Sequence, residues 1–100
     1  MSQGKLVRDK IPEIIRANGD EPSIRVAHGM EYRTLLQAKL SEEVAEFLAS
    51  DSDPQELADV LEVVMALAEG IGIGHQGLER IRAEKATERG GFSKGLVWVG

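Results

Sequence analysis

The chain has 100 residues, 42% of them apolar and 29% charged, with 17 acids against 12 bases and no cysteine. That length fits a single domain covering residues 1–100 and is too apolar for a disordered chain, while the absence of cysteine excludes disulfides and thiolate metal sites. The net charge of −5 argues against a general nucleic-acid binder, which carries a basic excess. No apolar run reaches the length of a membrane span, and the first ten residues contain no signal-peptide core, so the expectation is a cytoplasmic protein with no membrane partner.

Residues 1–11 read as irregular, with Lys5, Arg8 and Lys10 close together. Pro12 suits the first turn of a helix, and Asn18-Gly19 is a stop signal, so a short helix over 12–17 is expected. Residues 23–27 alternate apolar and polar, which is the period of a brief strand. A long helix is expected over 30–49, with Leu35, Leu36, Leu40, Val44, Phe47 and Leu48 as its core stripe. Asp51-Ser52-Asp53-Pro54 breaks it, and Asp53 is placed to cap a third helix over 54–69. That helix carries Leu57, Val60, Leu61, Val64, Met65 and Leu67 and has little polar surface. It is expected to be buried on most sides, centrally or at a subunit contact.

Gly70, Gly72 and Gly74 end the third helix. Gly72 to Gly77 matches G-x-G-x-x-G, but a helix and not a strand precedes it, so it reads as a helix stop and not as a nucleotide fingerprint. A polar fourth helix over 75–89 follows, stopped by Gly90-Gly91, and the tail over 92–99 reads as a strand. The expected fold is all-α: an antiparallel bundle of about four helices, with a short first helix and small terminal strands. The short break between the second and third helices makes them antiparallel neighbours.

The chemistry gathers on those two helices. Glu43 and Glu46 lie three apart on one, Glu56 and Asp59 three apart on the other, with Glu42 beside the first pair. Residues three apart share a helix face. These five acids equal the chain's negative excess in number, and a bound divalent cation relieves such crowding. All-oxygen donors suit Mg²⁺, with Mn²⁺ as the alternative. The competing readings are a solvated helix face for Glu42, Glu43 and Glu46, and a capping box for Glu56 with Asp53. Asp59 lies in the most apolar helix, where an unpaired acid is costly. A di-iron bundle needs Glu-x-x-His pairs, and neither His28 nor His75 follows one of these acids by three. Arg82, Lys85 and Arg89 recur along the fourth helix, ordinary solvated charge unless a polyphosphate joins the metal.

The run Glu42-Glu43-Val44-Ala45-Glu46 with Glu56-Leu57-Ala58-Asp59 resembles the E-E-x-x-E … E-x-x-D motif of the MazG-like all-α nucleoside triphosphate pyrophosphohydrolases. Lys5-Leu6-Val7-Arg8-Asp9-Lys10-Ile11-Pro12 and Glu88-Arg89-Gly90-Gly91-Phe92-Ser93-Lys94 resemble the flanks of a small subgroup of that superfamily, which also holds phosphoribosyl-ATP pyrophosphohydrolases. The resemblance implies cleavage of a nucleoside triphosphate between the α- and β-phosphates, giving NMP and pyrophosphate, as nucleotide-pool house-cleaning. It implies Glu43, Glu46, Glu56 and Asp59 as Mg²⁺ ligands and Glu42 as the catalytic base toward water. It implies Lys85, Arg89, Arg8, Lys10 and Lys94 as phosphate-binding residues, and a homodimer or homotetramer. Phosphoribosyl-ATP as substrate, or nucleotide binding without turnover, are the alternatives. Only nine residues separate Glu46 from Glu56, fewer than in many members, and this leaves the choice of base open.

Overall fold

The computed structural model describes residues 4–100. It is all-α, with four helices: α1 Ile11–Ala17, α2 Gly29–Ala49, α3 Pro54–Gly70 and α4 Gly74–Arg89. α2 and α3 pack side by side as an antiparallel hairpin, and α4 packs on the other flank of α3. α1 does not pack on another helix, so the packed unit is three helices with α3 in the middle.

Local chemistry sets the boundaries. Prolines occupy the first turns of α1 and α3, where a missing N–H costs no hydrogen bond. Asp53 caps α3 by accepting from the Gln55 amide at 2.9 Å. The expected capping box does not form. The Asp53 amide donates to Ser50 Oγ at 3.1 Å, and Ser50 Oγ donates to the Phe47 carbonyl at 2.7 Å. Glu56 is therefore not drawn back to cap its own helix. The connection between α2 and α3 is so short that Asp51 and Ser52 adopt φ of 59° and 68°, a left-handed conformation that costs roughly 1–2 kcal/mol per residue for a side chain with a Cβ.

Among the described residues there is no strand, which corrects the expectation for residues 23–27 and 92–99. Extended backbone becomes a strand only when a partner takes its amides and carbonyls. The 23–27 segment is instead tied to α2 by a two-pronged ion pair from Arg25 to Glu31, at 2.9 and 2.7 Å. The tail projects from the helices, with Phe92 and Trp98 99% and 93% exposed.

The core is small. Leu36, Val63 and Ala68 are its buried apolar residues, at the α2–α3 contact and on the inner side of α3. The expectation that α3 is buried on most sides holds only for part of its surface: Leu57 and Leu61 are more than half exposed, and Leu48 of α2 is exposed as well. The radius of gyration is 17.3 Å, against about 13 Å for a compact chain of this length.

Candidate metal centre

The α2–α3 hairpin brings the five acids together. Glu42, Glu43 and Glu46 offer carboxylate oxygens that all lie within 4.8 Å of one another, and so do Glu43, Glu56 and Asp59. Glu43 belongs to both groups and is the one buried charged residue among those described, 6% exposed. The first group is set by helix periodicity within α2. The second exists only because α3 runs back along α2, so the tight Ser50–Asp53 connection is what assembles it.

Cations border this cluster. Lys39, one turn before the acids on α2, lies 3.3 Å from Glu42 and 3.4 Å from Glu43. Lys5 reaches Glu42 from the N-terminal arm at 3.4 Å, and Arg8 donates to Asp59 Oδ1 at 2.6 Å. Burial works against ionisation of Glu42, but Lys39 and then Lys5 outweigh it and hold the carboxyl below the usual carboxylate range. Burial also opposes the charge on Lys39, and Glu42 and Glu43 reverse the balance, raising its ammonium. Glu46 moves the other way. The negative charge of Glu43 is the largest cause, followed by desolvation and then Glu42 and Glu56, and together they push its carboxyl up.

One oxygen has no counterpart. Glu56 Oε2 is buried and accepts no hydrogen bond from any of the described residues. A buried carboxylate oxygen left unpaired costs on the order of 1–3 kcal/mol or more, unless a ligand takes it up. The donor set fits a hard divalent cation: all oxygen, several carboxylates, no sulfur or imidazole. Oxygens on opposite sides of a Mg²⁺ ion are about 4.2 Å apart, twice the Mg–O distance, so a cluster spread over 4.8 Å closes with small side-chain movements. Glu43, Glu56 and Asp59 would hold one such ion, and Glu42, Glu43 and Glu46 border a second position.

The basic residues divide differently from the sequence expectation. Of the five phosphate-binding candidates, Arg8 alone forms an ion pair with one of the acids. Lys10, Lys85, Arg89 and Lys94 make none among the described residues, and α4, which carries Lys85 and Arg89, touches α3 but not α2. Arg82 is paired to Glu79 on its own helix at 2.6 Å. Lys39 and Lys5, absent from the sequence assignment, are in contact with the cluster. The signal for Lys39 was its spacing of three and four from Glu42 and Glu43. Nothing in the sequence alone places Lys5 against an acid 37 positions away.

No family model and no solved structure matches the chain. A stretch of 48 residues, 48% of this chain, is 56% identical to an uncharacterized protein of Mycolicibacterium smegmatis and covers 49% of that protein. The chain is thus matched over about half the length of that relative, and the similarity carries no assignment of activity.

Proposed function

We propose that the chain is a Mg²⁺-dependent nucleoside triphosphate pyrophosphohydrolase, cleaving between the α- and β-phosphates to release NMP and pyrophosphate. The observation that carries this reading is Glu43: a buried carboxylate common to two groups of three acids, one drawn from α2 alone and one bridging α2 and α3. Such a doubled site suits a substrate with two charged ends of a reacting bond. The orphaned Glu56 oxygen and the likeness of Glu42 to Glu46 and Glu56 to Asp59 to the MazG-like motif support it.

A divalent cation bound at these acids would neutralise phosphate charge and lower the pKa of water. Glu42 is ionised at neutral pH but holds Lys39 on one oxygen and Lys5 on the other. Release of Lys5 would open an oxygen toward an attacking water, and the depressed pKa of Glu42 makes it a weak base, suited to orienting a water that is already acidified. Arg8 and Lys5, the cations of the N-terminal arm paired with Asp59 and Glu42, are the proposed partners of outer phosphate oxygens, Lys5 as a point donor and Arg8 as a fork. We further propose that two or four copies assemble through the exposed apolar edge of α2 and α3.

The test is a screen of NTPs, dNTPs and phosphoribosyl-ATP with Mg²⁺ or Mn²⁺, the products resolved by chromatography. NMP with pyrophosphate is expected. Formation of NDP with phosphate rules out the proposed cleavage position. Turnover of phosphoribosyl-ATP alone moves the assignment to that substrate. A second reading, a structural acid–base network without turnover, is favoured by the four ion pairs that Lys5, Arg8 and Lys39 make with the acids. It requires that no substrate reacts and that Mg²⁺ leaves the melting temperature unchanged.

A further inference from the structure

We infer that the N-terminal segment over residues 5–10 is an exchangeable strap: Arg8 and Lys5 neutralise the acid cluster when it is empty of cation and transfer to a polyphosphate anion when a divalent cation enters. The inference rests on the metal-centre reading and extends it to the chain's own cations. The ion pairs that tie this segment to α2 and α3 are Lys5–Glu42 at 3.4 Å and Arg8–Asp59 at 2.6 Å. Both involve acids of the cluster, and Asp59 is one of the three residues that would hold an ion with Glu43 and Glu56. Arg8 therefore engages a carboxylate that a cation would also use.

These pairs are built to let go. The side chains of Lys5, Arg8 and Asp59 are 67%, 58% and 38% exposed, and water-exposed pairs hold weakly. Three acids brought this close repel one another, and the strap's two cations offset part of that repulsion. A divalent cation held by Glu43, Glu56 and Asp59 competes with Arg8 for the Asp59 carboxylate, and two such ions together with Lys39 balance the five acids, which leaves the guanidinium and ammonium groups as surplus positive charge. They need not travel far to find an anion. The same segment lines a cleft of about 580 Å³, with Lys5, Arg8 and Asp9 on its wall together with Tyr32, Leu35 and the Glu31-paired Arg25. The same two residues thus contact the acids and also line a partly apolar cleft. A polyphosphate ester entering that cleft meets Arg8 and Lys5 as they leave the carboxylates, and its phosphates lie toward the metal.

Competition gives the exchange a sign that a static anchor lacks. In Arg8→Gln, Mn²⁺ alone, measured by electron paramagnetic resonance, binds about two- to fivefold tighter than in the unaltered protein, the range an exposed ion pair represents. Mg²⁺ with inorganic tripolyphosphate, measured by calorimetry, binds more weakly. Arg80→Gln removes the same charge from α4, outside the segment and the cluster, and serves as the control for long-range electrostatics. In the unaltered protein, amide hydrogen exchange over residues 5–10 accelerates on adding Mg²⁺ and slows again on adding tripolyphosphate. The strap is overturned if Arg8→Gln gains no more Mn²⁺ affinity than Arg80→Gln, if tripolyphosphate binds both equally, or if exchange over residues 5–10 ignores Mg²⁺. Absence of Mn²⁺ binding to the unaltered protein overturns the metal centre itself, a separate result.

Discussion

At the scale of single residues the cluster is a crowding of like charge around one buried carboxylate. Glu43 is buried and shared by both acid groups, so its loss removes a donor from each. On the proposed function, Glu43→Gln is expected to abolish any stabilisation by Mg²⁺ and to lower the proposed pyrophosphohydrolase activity by more than about 100-fold, beyond the range for residues that only support a ligand, with an unchanged helical circular-dichroism spectrum. Glu56 illustrates the opposite trade. Its buried oxygen has no partner, so Glu56→Gln is expected to stabilise the metal-free protein by about 1 kcal/mol while weakening the response to Mg²⁺, which paired thermal melts with EDTA and with Mg²⁺ measure. The pH dependence has two arms of opposite sign. Glu46 is raised above its ordinary 4.5 in the folded chain, foremost by Glu43, so it binds protons more readily folded than unfolded, and its destabilising effect fades as pH falls from neutral toward 4.5. Glu42 is lowered from 4.5, so the stability it contributes is present above that value and lost as pH falls through its folded pKa. Melts in EDTA should therefore show Tm rising from neutral pH toward mild acid and falling below it. In Glu46→Gln the rise should disappear while the fall remains; a rise of undiminished size would assign it to another group.

At the scale of elements, the connection between α2 and α3 does most of the assembly. Asp53→Ala removes the cap on α3 and is expected to cost about 1 kcal/mol. Ser52→Gly relieves a left-handed residue and is expected to raise Tm by a few degrees, since it costs no side-chain hydrogen bond. The helices themselves were legible from proline, glycine and apolar spacing, because those signals act within a few residues. Three of the five acids were legible as one group because α2 alone aligns them, and the other two because a short break leaves α3 no course but back along α2. What escaped the sequence depends on partners far away in the chain. The capping box was a sound local pattern that lost to Ser50, which takes the Asp53 amide first. Residues 23–27 had the right alternation and 92–99 an apolar run, and neither has a strand partner among the described residues. Lys5 and Arg8 reach Glu42 and Asp59 across 37 and 51 positions, contacts that no periodicity encodes.

At the scale of the whole molecule, one chain is short of core. Its accessible surface is 8475 Å², against about 5,600 Å² for a compact monomer of this mass. Leu48, Leu57 and Leu61 lie exposed along α2 and α3, and the tail adds Phe92, Leu96, Val97, Trp98 and Val99. No helix among the described residues is long and apolar enough to cross a membrane. The proposed self-assembly covers this surface, and Leu61→Glu is expected to shift the species seen by light scattering to lower mass without loss of helix content; a single-chain mass for the unaltered protein would remove the proposal. The tail offers a way to watch this happen without labels. Trp98 is the chain's one tryptophan and is almost wholly in water, so a lone chain should emit as free indole does, at long wavelength and open to collisional quenching. If copies close over the tail, dilution should redden that emission and expose it to quencher at one common concentration, and so convert an apolar overhang into an optical readout of how many chains have come together.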